Sequence, residues 1–92
     1  MLTVFPTKQF KKDLKRIRRS GTFDDTLLEV VIDTLASKKV LAEKYRDHSL
    51  KGSAGGLREC HIKPDLLLVY KIYDERLLLE LIRLGSHSEL FD

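Results

Sequence analysis

The 92-residue sequence predicts an α+β fold, two N-terminal helices packed on one side of a twisted, mainly antiparallel sheet in the order βααβββ. Three observations predict it. Apolar residues recur at helical spacing in the first third of the chain, three runs of strand length follow Gly56, and turn-forming residues separate those runs.

Leu2 to Phe5 is β-prone, and Pro6 followed by Thr7 reads as a strand end leading into a helix N-cap. The first helix runs to about Ser20. Phe10, Leu14 and Ile17 form its apolar stripe, Lys and Arg occupy its other faces, and Gly21 suits its C-terminal stop. Thr22 is a second plausible N-cap, with Asp24 and Asp25 in the first turn. Leu27, Leu28, Val31 and Leu35 continue that helix to about Lys38, so little more than Gly21 joins the helices. Leu41 to Gly56 has no sustained period and reads as an irregular loop whose tip, from Gly52 on, is flexible.

Leu57 to Ile62, Leu66 to Ile72 and Leu77 to Leu84 are then consecutive antiparallel strands, broken at Lys63-Pro64-Asp65 and Asp74-Glu75-Arg76. Strand alternation places Leu57, Glu59 and His61 on one face and Arg58, Cys60 and Ile62 on the other. The Leu-rich last two strands predict burial on both faces.

A chain of 10.6 kDa with 42% hydrophobic residues suits one domain spanning residues 1–92, with room for one core and no second lobe. Cys60 is the single cysteine and cannot form an internal disulfide. No hydrophobic signal stretch follows Met1, and no apolar run of ~18 residues occurs, so a cytoplasmic protein without a membrane span is expected. Charge is uneven: seven of the seventeen Lys and Arg lie among the first twenty residues with one acid, Asp13. Such a segment attracts a polyanion such as RNA or an acidic protein partner, and is otherwise a solvated helix face.

The candidate chemistry rests on few residues. His48, His61 and His87 fall at or near element edges, and an imidazole with an unperturbed pKa of ~6.5 gives or takes a proton near neutrality. Glu59 shares a strand face with His61, so carboxylate and imidazole can pair. Asp65 sits in a strand connection, as a turn former or a base. Arg83, in a Leu-rich strand, needs either a carboxylate partner or an outside anion such as phosphate. Phe91 either plugs the core edge or offers a ring for stacking a base. A zinc reading is weak, with no CxxC or HxxxH pair, and the Gly52, Gly55 and Gly56 segment is no phosphate loop because no Lys-Ser or Lys-Thr follows. Acid–base chemistry on a phosphodiester, or binding without chemistry, remains.

Five ordered blocks then stand out: Tyr45-Arg46-Asp47-His48, Leu50-Lys51-Gly52, the run from Leu57 to Asp65, Leu68-Val69-Tyr70-Lys71, and Arg83 through Phe91. With Phe10 to Leu14 they closely resemble the YafQ-type toxins of the RelE/ParE superfamily of bacterial toxin–antitoxin systems. The resemblance implies a RelE-like, microbial-ribonuclease-like fold and a ribosome-dependent endoribonuclease that cuts mRNA in the ribosomal A site without a cofactor or metal. It also implies a cognate antitoxin that wraps and neutralises the toxin in a hetero-oligomer. By position, the family's catalytic residues fall on His48, His61, Asp65 and His87, and its C-terminal aromatic on Phe91, while Glu59 and Arg83 match further substrate-binding positions. His87 is then the general acid and His48 or Asp65 the general base, with His61 orienting, Arg83 neutralising phosphate charge and Phe91 stacking. Leu66 departs from the tryptophan that often follows the aspartate. Two competing readings are a ParE-like gyrase inhibitor, against which the three histidines argue, and a non-catalytic antitoxin-binding domain.

Overall fold

The computed structural model describes every residue of the chain except Lys51, Ser53, Ala54 and Asp92. In chain order the elements are β1 (Thr3–Pro6), α1 (Lys8–Arg18), α2 (Asp25–Ala36), a 3₁₀ turn (Glu43–Tyr45), β2 (His48–Ser49), β3 (Arg58–Lys63), β4 (Leu66–Tyr73), a 3₁₀ turn (Asp74–Arg76), β5 (Leu78–Gly85) and α3 (His87–Phe91). The predicted α+β architecture is present. The order gains two short elements, β2 inside the segment read as an irregular loop and α3 after the last strand. Ser53 and Ala54 of the predicted flexible tip, and Lys51 of one sequence block, lie outside the described residues.

Thr7 starts α1 as expected, its hydroxyl oxygen accepting the Phe10 N–H at 3.1 Å. The N-cap of α2 is Asp24 rather than Thr22: its carboxylate accepts the Thr26 N–H at 2.9 Å, and an aspartate there also answers the helix dipole. The link between the helices therefore runs from Arg19 to Asp24, longer than the single Gly21 expected.

The sheet has five strands in the order β1-β5-β4-β3-β2. β2 to β5 pair antiparallel, whereas β1 adds to β5 in parallel, with Thr3 opposite Leu78 and Pro6 opposite Leu81. Parallel pairing needs a crossover, and here α1, α2 and the rest of the sheet intervene between the paired strands. One core joins Phe10, Leu28, Val31 and Leu35 of the helices to Cys60, Leu68, Tyr70, Leu79, Leu81 and Leu84 of the sheet. Each fully buried Leu or Val contributes roughly 1.5–3 kcal/mol. Leu67 and Val69 alternate to the opposite face and are buried too, as the two-sided burial of β4 predicted. Leu66, at the tryptophan position of the resemblance, packs half-buried against the core.

Candidate active site

Pairing builds a row of side chains on the sheet face opposite the helical core. His48 stands opposite Glu59, Glu59 opposite Val69, and Val69 opposite Arg83. Directly opposed residues share a face, so these four form one line across β2, β3, β4 and β5. The next line on that face holds His61, Leu67 and Gly85. The β3–β4 register breaks just after His61, the kind of irregularity that re-aims a side chain.

Glu59 is the centre of this arrangement. It is 6% exposed, so the carboxylate expected to pair with His61 is buried. Its Oε1 lies 3.3 Å from His48 Nε2 and 3.9 Å from His61 Nε2, and the two rings are 6.4 Å apart. Each histidine is anchored from behind: His48 Nδ1 meets the Arg46 carbonyl at 2.5 Å and His61 Nδ1 the Pro64 carbonyl at 3.3 Å. A carbonyl only accepts, so both Nδ1 atoms are donors and each Nε2 is turned toward the carboxylate. The backbone at Arg46 is left-handed, with φ 47°, and this reversal brings its carbonyl under the His48 ring.

His87 and Phe91 reach the same place from α3. Ser86 and Glu89 cap that helix reciprocally, Ser86 Oγ accepting the Glu89 N–H at 3.2 Å and Glu89 Oε1 the Ser86 N–H at 2.8 Å. The His87 and Phe91 rings, one helical turn apart, lie with centroids 5.2 Å from each other. His48, Glu59, His87 and Phe91 together line one cleft of about 530 Å³. Gly85 eases the close seating of α3, since a Cβ there would lie 3.1 Å from Leu90, Glu89 and Arg16 side-chain atoms and those ends would have to give by a few tenths of an ångström.

Arg83 and Asp65 are placed differently. Of the two partners open to Arg83, the fold supplies the carboxylate: Nε donates to Asp13 Oδ2 at 2.8 Å and Nη2 to Oδ1 at 3.3 Å. Asp13 is fully buried and also accepts the Leu84 N–H at 3.0 Å, with Gln9 at 3.1 Å and Arg16 at 3.3 Å. That N–H is available because β1 covers β5 only as far as Leu81. Burial pushes the Asp13 carboxyl up, but the Arg83 hydrogen bond, the Leu84 N–H and the Gln9 amide outweigh it and hold the group below the usual carboxylate range. Asp65 lies exposed between β3 and β4, and among the described residues its carboxylate makes no hydrogen bond or ion pair, so it does not join the histidines.

Two supporting groups escaped the sequence reading. Asp13 is one, although its spacing from Phe10 and Ile17 already put a carboxylate on the apolar stripe of α1. The other lies behind β2: the Tyr70 hydroxyl donates a very short hydrogen bond to Asp47, and Arg58 reaches Asp47 at 3.2 Å, Tyr70 at 3.3 Å and Ser49 at 3.0 Å. This cluster pins the residues flanking His48 and Glu59. Burial, and the hydrogen bond to Asp47 after it, push the Tyr70 phenol well up, and burial, with the Asp47 and Glu59 charges, pushes the Cys60 thiol up to about 12.

Two helices over one face of a five-stranded sheet and a histidine–carboxylate row on the other define a small α+β protein with its candidate site on the sheet's second face. A family model described as "Bacterial toxin of type II toxin-antitoxin system, YafQ" matches residues 2–92, and the chain belongs to that family. It is 34% identical over 83 residues to the mRNA interferase toxin YafQ of Escherichia coli K12, covering 90% of this chain and 88% of that protein. Among solved structures, a metal-bound toxin from Helicobacter pylori is 55% identical with a TM-score of 0.93, covering 99% of this chain and all of that one. YafQ in the Escherichia coli DinJ–YafQ complex is 32% identical with a TM-score of 0.86, and each chain is fully covered.

Proposed function

We propose that this chain is the toxin of a type II toxin–antitoxin system, an mRNA interferase that cuts mRNA on the ribosome by acid–base catalysis from its own side chains. The observation that carries this reading is the shared Glu59 oxygen between His48 and His61, opening on a cleft also lined by His87 and Phe91. The Escherichia coli relative bears the name mRNA interferase and was crystallised with DinJ. By that likeness the cytoplasmic partner of this chain is a cognate antitoxin in a hetero-oligomer. Although the Helicobacter pylori relative is described as metal-bound, among the described residues no group of three or more His, Cys, Asp or Glu is arranged to hold a metal ion.

The chemistry follows from the hydrogen-bond roles. With its Nδ1–H held by the Arg46 carbonyl, His48 presents Nε2 as a base, and the Glu59 carboxylate 3.3 Å away stabilises the imidazolium formed when Nε2 takes a proton. His48 Nε2 removes the proton of a ribose 2′-hydroxyl. The freed oxygen attacks the adjacent phosphorus in line, and His87, across the cleft, protonates the departing 5′-oxygen. His61 holds the carboxylate from its other side and Phe91 stacks a base, while Arg83, its charge answered by Asp13, holds its end of the same row in place. Asp65, exposed in the turn beyond His61, serves at the rim rather than as the base. The basic face of α1, with Lys11, Lys15, Arg18 and Arg19 around one shallow hollow, docks on ribosomal RNA.

End-group analysis of the cleaved mRNA tests this. A 5′-hydroxyl on one fragment and a 2′,3′-cyclic phosphate or 3′-phosphate on the other are expected. Fragments with a 5′-phosphate and a 3′-hydroxyl would rule out attack by the 2′-hydroxyl.

A further inference from the structure

A second hollow, of about 320 Å³, lies on the far side of His61, lined among others by Lys44, Tyr45, Arg46, Lys63 and Pro64. Its size is at the lower end for a site that accepts a small organic group. Three of its walls are cationic and none is a carboxylate. Among the described residues Lys44, Arg46 and Lys63 make no ion pair, in contrast to Arg16, Arg18, Lys38, Arg58 and Arg83, each held by a carboxylate. Three unpaired cations thus meet at one hollow with no acid in its wall. Lys44 Nζ stands 5.2 Å over the Tyr45 ring, so an aromatic surface lies among the charges.

The hollow is also joined mechanically to the acid–base row. Two of its wall residues supply the carbonyls that anchor the histidines, Arg46 for His48 and Pro64 for His61. An occupant pressing on Arg46 and Pro64 therefore touches the groups that orient both rings. On the other side of the row lies the cleft with His87 and Phe91.

We infer that the Tyr45 hollow binds the nucleotide and phosphate next to the cleaved phosphodiester, so that a single RNA strand crosses the His48–Glu59–His61 row with one neighbour in each hollow. This rests on the ribonuclease reading above. Lys44, Arg46 and Lys63 bind the phosphate that is not cut, and Tyr45 meets its nucleoside. Such contacts position the strand and leave the proton transfers to the histidines.

The test is cleavage of a defined mRNA in a translating extract across a range of toxin concentrations, comparing wild type with the Arg46→Asn, Lys63→Gln double variant. Asparagine tolerates the left-handed backbone at Arg46 and keeps the carbonyl that holds His48. The concentration for half-maximal cleavage is expected to rise about tenfold, with the plateau rate unchanged. The thermal midpoint and affinity for the cognate antitoxin should stay at wild-type values. If wild type cleaves and the double variant gives the same curve, the subsite is wrong while the ribonuclease reading stands. If the variant loses antitoxin affinity but keeps its cleavage curve, the hollow is a protein-binding surface and the inference is overturned. Failure of wild type itself to cleave overturns both.

Discussion

Arg83 Nε lies 2.8 Å from Asp13 Oδ2, a contact between residues seventy positions apart that ties the candidate-site strand to the first helix. The two members of this pair are not equally exposed, since Asp13 is fully buried and the Arg83 side chain is 32% exposed. Removing the arginine strands a charge that only Leu84 N–H, Gln9 and Arg16 then support, whereas Asp13→Asn keeps an acceptor for Leu84 N–H. Arg83→Ala is expected to cost about 3 kcal/mol, at the low end for a broken buried pair because the guanidinium is partly solvated, and Asp13→Asn about 1–2 kcal/mol. Urea midpoints at constant slope measure both, and the reverse order would contradict the assignment.

Acid should expose the same pair. The carboxyl of Asp13 titrates lower in the folded protein than in the unfolded chain, so its contribution to stability is complete above the unfolded value of about 3.9 and is lost as pH falls through the folded value. Between pH 6 and pH 3, wild type should therefore lose more stability than Asp13→Asn, as measured by the difference in unfolding midpoints. Parallel losses would show that another group governs the acid limb.

Glu59→Gln replaces the shared carboxylate by a neutral amide that no longer stabilises a His48 imidazolium. Cleavage should fall by about 10²-fold or more, the scale of a lost acid–base partner. The thermal midpoint should move little, because the side chain contacts His48 and His61 rather than the helical core. A variant as active as wild type would remove Glu59 from the chemistry.

Cys60 offers a readout of the supporting face. It is fully buried in the core, and a thiol pushed up to about 12 is almost wholly protonated near neutral pH. An alkylating reagent at pH 8 should label it only through unfolding. Tyr70→Phe removes the hydroxyl that Asp47 and Arg58 share, destabilising by roughly 0.5–1.5 kcal/mol and raising the labelling rate in proportion. Fast labelling of the folded wild type would mean that this part of the core opens locally.

The fold was legible where one physical signal acted alone. Phe10, Leu14 and Ile17 repeat at helical spacing and pack as such, and Pro64-Asp65 ends a strand because proline cannot continue the ladder. Local signals misled where two of them compete: Thr22 and Asp24 are both competent caps, and in the fold Asp24 takes the Thr26 N–H while the Thr22 hydroxyl pairs with Ser20. The two-residue β2 strand has no periodicity to read, yet its pairing sets His48 opposite Glu59. The partner of Arg83 was invisible for a similar reason, since Asp13 becomes its neighbour only once α1 lies along the free edge of β5. Residue types thus named the participants, and the register between distant strands decided which of them meet.

On the proposed function, the row at Glu59 and the His87 ring across the cleft cut mRNA on the ribosome. Primer extension on a defined mRNA tests it most directly, with wild type, His87→Ala and Glu59→Gln each assayed with and without translating ribosomes. New 5′ ends are expected only with wild-type protein and ribosomes, and at most traces with either variant. Ends of equal intensity from wild type and both variants, or none from wild type although the cells producing it arrest growth, would contradict it.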